Sequence, residues 1–440
     1  MGTGQSLQVN SSRNIASSRS FIGFGASLDF KNRNTFKGGE VLSVRTELGI
    51  EVNPGGRFFE LGHWSRTTSN LNIGADLYFP KLRDHPLGTT KLIRKFSPKG
   101  YNLLRESADT RASLNYNVIS AVNNYRINIF AGSWGYEWLN SKNNRFTFNQ
   151  IGINFLDPSF SQSFQDTVLS QNPFLENSLT EQLFTGFIAR DFSVLIQSKP
   201  TKKNGSWLFR GNIEQSGAEI AAINGIYNVL SSNIETDTFR FLGNKYEFSQ
   251  YFRLELDGRY YWNRSRNKTF AFRGHFGIAT PFAFSNDVPY TKQFSVGGPT
   301  SMRGWIIREL GPGSFVEDLP EDNNFFYQTG DLKLEFNAEF RFDLFWVFKG
   351  AVFLDVGNVW ALGTDDRTGA NFDLNEFAVN SGIGLRIDAS IFLLRFDIGM
   401  PLRNPYIDDT LGRHWLVRTP TEWWASREFW NPNLAIGYPF

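Results

Sequence analysis

Residues 332–342 read LKLEFNAEFRF, and the period of that stretch decides the fold. Leu332, Leu334, Phe336, Ala338, Phe340 and Phe342 alternate with Lys333, Glu335, Asn337, Glu339 and Arg341. Side chains leave a β-strand on opposite faces at successive residues, so one face is apolar and the other charged. The same alternation sets Ile22, Phe24, Ala26, Leu28 and Phe30 against Gly23, Gly25, Ser27 and Asp29. It recurs at Leu42, Val44, Leu48 and Ile50, and again at Phe252, Leu254 and Leu256 against Arg253, Glu255 and Asp257.

Sixteen candidate strands follow, near 5–13, 20–32, 40–53, 70–80, 110–119, 125–139, 145–156, 182–197, 205–219, 248–263, 268–284, 329–345, 348–362, 377–390, 391–402 and 432–440. Most reach the roughly 9 to 11 tilted residues that cross a bilayer. Composition favours that reading over a soluble sandwich. Aromatic residues make up 16% of the 440, with 44 Phe, 14 Tyr and 12 Trp, as lipid-facing strands with interfacial girdles require. No apolar run approaches the roughly 20 residues of a membrane-spanning helix, and mean hydropathy is −0.32. The expected fold is all-β: a transmembrane 16-stranded antiparallel up-and-down β-barrel spanning residues 1–440 as one domain, with a polar interior.

Short turns, such as 264–267 and 389–390, alternate with long connections at 157–181, 221–247, 285–328 and 403–431, which gives the barrel an inside and an outside end. Residues 81–109 are long yet fall on the short-turn side; their Lys91, Arg94, Lys95 and Lys99 read as a solvated turn, with headgroups or a partner as the alternative. The formal charge of +2 is scattered, so no nucleic acid is expected as partner. Zero Cys excludes disulfides, thiolate metal sites and cysteine nucleophiles. His63, His85, His275 and His414 show no metal-binding spacing, and no Gly-x-Ser-x-Gly occurs. No enzyme, metal or cofactor is therefore expected; His275 reads as lumenal and the other three as loop or turn residues. The first residues carry no signal-peptide pattern, which reads as a mature chain or fragment.

The loop between the eleventh and twelfth strands contains Gly297-Gly298-Pro299-Thr300-Ser301-Met302-Arg303-Gly304-Trp305. This resembles the signature loop of the bacterial surface antigen superfamily, the BamA/TamA-type outer-membrane protein assembly factors, which also includes two-partner secretion transporters. Two further pieces match in order: Phe353-Leu354-Asp355-Val356-Gly357 and Ala338-Glu339-Phe340. The resemblance implies that the loop folds into the lumen and that Arg303 pairs with Glu339 and Asp355. Both acids have the inward parity, and an Arg fork bonds two carboxylates at once. Gly304 is expected to turn the backbone and Trp305 to anchor the loop tip, while Glu335 and Arg341 share the face of Glu339. The terminal Phe440 is similar to the aromatic end by which barrel proteins are recognised for assembly.

The seam between first and last strands reads as the weakest. Leu7, Val9 and Asn10 lie in a short, polar first strand. The last places Leu434, Ile436, Tyr438 and Phe440 outward, with Ala435, Gly437 and Pro439 inward; Gly437 weakens the strand and Pro439 lacks a donor. The resemblance then implies a Gram-negative outer-membrane protein that inserts other barrels through this seam. Its partners would be outer-membrane lipids and lipopolysaccharide, unfolded outer-membrane clients, and lipoprotein or periplasmic proteins recruited by POTRA domains that this chain does not contain. A two-partner-secretion-type translocator, a passive porin and an outer-membrane enzyme remain as alternatives.

Overall fold

The computed structural model describes residues 22–53, 65–83, 90–121, 124–140, 144–170, 176, 179–198, 205–222, 238–241, 244–316, 328–363, 365, 367–388, 393–408, 411–417, 419, 422 and 430–440. In chain order these form β1 (Ile22–Arg33), β2 (Val41–Asn53), β3 (Ser65–Phe79), α1 (Thr90–Phe96), α2 (Pro98–Ser107), β4 (Ala108–Ala121), β5 (Tyr125–Leu139), β6 (Arg145–Phe160), α3 (Gln162–Phe164), β7 (Gln182–Gly186), β8 (Asp191–Gln197) and β9 (Ser206–Ser216). There follow β10 (Thr238–Phe241), β11 (Asn244–Phe248), β12 (Tyr251–Ser265), β13 (Lys268–Pro281), β14 (Leu332–Phe345), β15 (Phe348–Trp360), β16 (Ala378–Asp388), β17 (Leu393–Asp408), β18 (Arg413–Trp415) and β19 (Asn431–Ile436).

The wall is an up-and-down antiparallel sheet in which each long strand pairs with the next, from β1–β2 to β17–β19. Fifteen of the sixteen expected strands are present; the first, with Leu7, Val9 and Asn10, lies outside the described residues, as do His63 and His85. Among the described residues the sheet is open, with one edge at β1 and the other at β19. The single strand expected at 182–197 is divided into β7 and β8. The buried Arg190 stands at the break, where its side chain meets the positions a Cβ would take at Gly152 and Gly186. β7 also receives β11 in parallel.

The faces follow the alternation of the sequence. Leu28, Phe30, Phe252, Phe336, Val352, Leu354, Ile383 and Phe396 are exposed on the outer face, while Arg253, Asp257, Arg273, Glu335, Asn337, Asp355 and Asp397 are buried on the inner one. Burying charge while exposing Phe and Leu inverts the arrangement of a water-soluble protein and suits a wall whose solvent is lipid. Long connections fill the inside. Phe164, Leu169 and Leu179 of the segment after β6 pack on Ile119, Ile127 and Leu156. The connection from β13 to β14 packs Val296, Met302, Trp305 and Leu310 on Ala279, Val359 and Ala378.

Three expectations need correction. Residues 81–109 are not simply a solvated turn but carry α1 and α2, with Ser97 accepting from the Gly100 amide at 3.3 Å to cap α2. The short strand β18 contains His414. The last strand ends at Ile436, and the outward parity assigned to Tyr438 and Phe440 fails. Gly437 takes a φ of +88°, a left-handed conformation that glycine adopts without a Cβ penalty, and the remaining residues turn inward.

Leu354→Arg places a guanidinium on the outer face midway along β15. It is expected to lower stability in lipid vesicles by roughly 2 to 4 kcal/mol; denaturant titration of the refolded protein measures this, and an unchanged midpoint would mean that this face does not meet hydrocarbon.

Candidate functional site: the pinned inner loop

Arg303 is 0% exposed and sits where β14, β15, β16 and β17 face the inner loop. Its Nε and Nη2 donate to Asp355 Oδ2 and Oδ1 at 3.0 and 2.8 Å, and its Nη1 donates to Glu339 Oε2 at 2.5 Å. The pairing implied by the family resemblance is therefore made, with a two-pronged bond to Asp355. The guanidinium also lies over the Phe353 ring, 3.5 Å from its centroid, so both its edge and its face are used.

The acids are held in turn. Asn337 and Asn380 each donate to Asp355 at 3.0 Å. Glu339 accepts from Arg341 at 2.8 Å and from Arg386 at 3.1 Å. Asp397 binds Arg386 at 2.6 Å and lies 3.7 Å from Arg303 Nη1. Arg395, 3.4 Å from Asp397, donates to the Pro299 carbonyl at 2.8 Å. Every charge is thus within reach of its opposite, which burial in a poorly polar interior requires. Glu335 joins a neighbouring set, accepting from Ser301 at 2.7 Å and Arg273 at 3.0 Å and pairing with Lys333 at 2.9 Å. His275, buried on the same face as expected, bridges Arg273 and Glu255.

Glycine admits the loop by absence of side chain. Gly297 has a φ of +101°, and a Cβ there would stand 2.1 Å from the Ile306 carbonyl oxygen. Gly304, expected to make a sharp turn, serves instead for contact: its Cβ would meet that of Asn380 at 2.6 Å. Gly298 takes a positive φ and its amide bonds the Trp305 carbonyl at 2.8 Å, closing the motif on itself. Met302 and Trp305 are buried in the apolar cluster beside Val359, so the expected anchor is made. The other end of the loop is held by Lys292, whose Nζ reaches Glu214 at 2.6 Å.

The last strand joins the same network. Asn433 and Asn431 on β19 donate to the Arg303 carbonyl oxygen at 2.9 and 3.1 Å. A Cβ on Gly399 of β17 would lie 2.2 Å from that oxygen. Beyond Gly437, Arg341 donates to a Phe440 backbone oxygen at 3.2 Å and lies over the Tyr438 and Phe440 rings, 4.3 and 5.5 Å from their centroids. Pro439 and Phe440 are buried. Leu434 and Ala435 keep their register with Phe396 and Arg395 on β17, and Ile436 pairs with Leu394. Arg386, Arg395, Asp397, Asn431 and Asn433 were missed from sequence; inward parity was the available signal.

A sheet with an apolar outer face, a charged inner face and a loop pinned across that inner face is the wall expected of a β-barrel whose outer face meets lipid. The Omp85 superfamily domain matches residues 205–415, from β9 through β18, and that stretch contains Arg303 with all its acidic partners; over that span the chain is similar to Omp85 superfamily proteins. Among solved structures, BamA from Haemophilus ducreyi lacking POTRA domains 1-3 is 13% identical, with 88% of this chain and 67% of that one covered and a TM-score of 0.47. CdiB from Escherichia coli is 12% identical, with coverages of 87% and 56% and a TM-score of 0.47. CdiB from Acinetobacter baumannii is 12% identical, with coverages of 96% and 57% and a TM-score of 0.46. The chain thus spans little more than half the length of the CdiB chains. No curated protein matches the sequence.

Arg303→Leu strands Glu339 and Asp355 and is expected to cost about 3 to 5 kcal/mol. The loss appears in urea unfolding and as new protease cleavage within 285–316; a variant as stable and resistant as the parent would mean that the pin contributes nothing.

Proposed function

We propose that this chain inserts unfolded outer-membrane proteins into the outer membrane of a Gram-negative bacterium through the seam beside its last strand. The observation that carries this reading is the inequality of the last pairing. β17 runs over 16 residues, but β19 pairs with only six of them, Leu394–Gly399; beyond these β17 meets the three-residue β18, and past Ile436 the chain turns inward at Gly437. Each missing ladder bond forgoes about 1 kcal/mol net in water, and more where lipid offers no hydrogen-bond partner. The seam edge is therefore the easiest place for the sheet to admit a foreign strand, by backbone pairing at an open edge.

The inner loop supports the edge route over passage through the interior. A polypeptide threading the interior would first displace the Arg303 set, the Lys292 tether and the packed Met302 and Trp305. A client strand added at the seam leaves all of them in place. No covalent step is involved, and neither catalytic group nor cofactor enters the mechanism. Clients are recognised by their backbone edge and apolar alternation, with lipid and lipopolysaccharide surrounding the wall and recruitment supplied by lipoprotein or periplasmic partners. Translocation of one dedicated polypeptide, as in two-partner secretion, is the competing use of the same scaffold.

A lock distinguishes them. With Val9→Cys and Ile436→Cys oxidised to a disulfide in reconstituted vesicles, client folding is expected to stop and to resume on reduction. Undiminished client insertion by the locked protein would refute the seam, whereas a translocator would continue to pass its substrate.

A further inference from the structure

α1 and α2 lie on the outside of the wall. On β4, Ala108 is six residues from the exposed Leu114, and on β5, Tyr136 is six from the exposed Phe130. The β4–β5 register is unbroken, with Ala108 opposite Trp138 and Thr110 opposite Tyr136, so all four share the outward parity. Yet Ala108 and Tyr136 are buried, because Leu104 of α2 packs on them, flanked by Leu82, Trp134, Trp138 and Phe148. The preceding chain is fastened to the same face. Thr110 Oγ1 accepts from the Arg83 amide at 2.7 Å and donates to the Lys81 carbonyl at 2.8 Å.

The helices turn charge away from this contact. Residues 90–107 carry Lys91, Arg94, Lys95, Lys99 and Arg105 against the single acid Glu106, and all five cations are exposed. Arg94 stands 5.9 Å from the Tyr101 ring centroid, linking the two helices. Leu103 is exposed beside them. Below lie the aromatic rings of an interfacial girdle, with Trp138 stacked on Phe146 at 5.4 Å. The hairpin therefore sits at the short-turn end of a lipid-facing wall, at the depth where hydrocarbon gives way to headgroups.

We propose that α1 and α2 form an in-plane anchor that binds the anionic phospholipid headgroups of the leaflet at the short-turn end. A basic face and an exposed Leu beside an apolar wall match that boundary: cations pair with phosphate while the apolar side chain enters the acyl region. An acidic soluble protein would satisfy the cations but leave Leu103 and the flanking wall in water. The anchor fixes the tilt of the β3–β5 sector and does not depend on whether the protein inserts or translocates its client.

The chain has no Cys, so Leu103→Cys takes a single spin label. In vesicles of phosphatidylethanolamine and phosphatidylglycerol, the label is expected to collide more with oxygen than with a water-soluble nickel chelate. Native mass spectrometry should show phosphatidylglycerol retained roughly tenfold over phosphatidylcholine. The combined Lys91→Gln, Arg94→Gln, Lys95→Gln, Lys99→Gln and Arg105→Gln variant, which alters only exposed residues, should bring that ratio to about twofold or less. A label open to the nickel chelate would overturn the anchor and leave a soluble acidic partner. Equal retention of the two lipids by the parent protein, or an unchanged ratio in the variant, would overturn it as well.

Discussion

The interior depends on one buried guanidinium. Arg303 reaches Asp355 with two nitrogens and Glu339 with a third, and the surrounding Arg386, Arg341 and Asp397 are placed by the same acids. A charge taken this far from water is tolerated only when the opposite charge is already in position. The wall strands supply that position, because alternate residues of β14, β15 and β17 must point inward once their apolar partners face lipid. The outer face thus dictates where the inner charges stand, and the inner charges dictate where the loop comes to rest.

The same residue connects the loop to the edge of the sheet. Its side chain belongs to β14 and β15, but its carbonyl oxygen belongs to Asn431 and Asn433 of β19. β19, which pairs over only six residues with β17, is therefore steadied by side chains that grip the loop, and its tail by Arg341 through Phe440. The six ladder pairs of β19 and the polar grip of Asn431 and Asn433 on the loop together hold this edge.

Much of this was legible before any coordinates. Alternation with period two fixes faces over long strands, so Glu339, Asp355 and His275 were correctly placed inward and Phe336 and Leu354 outward. Arg303 was legible through its resemblance to a known loop. Parity fails where the backbone departs from the pleat: at Gly437, whose positive φ reverses the tail, and at Arg190, which divides one long alternating segment into β7 and β8. The amphipathic helices were obscured for another reason. Seven- and ten-residue helices show too few turns for their period to outweigh a run of Lys and Arg. Arg386, Arg395 and Asp397 had the right parity, but nothing in their spacing reveals that a loop nearly a hundred residues earlier comes to meet them.

The central claim is that the pinned loop holds the last strand. Hydrogen exchange of the protein in lipid, compared with the Asp355→Asn variant that loosens the pin without removing Arg303, tests it directly. The account predicts faster exchange for the amides of β19 while the β5–β6 ladder keeps its protection. Unchanged protection across 431–436 in a variant whose loop has demonstrably loosened would show that loop and seam are independent.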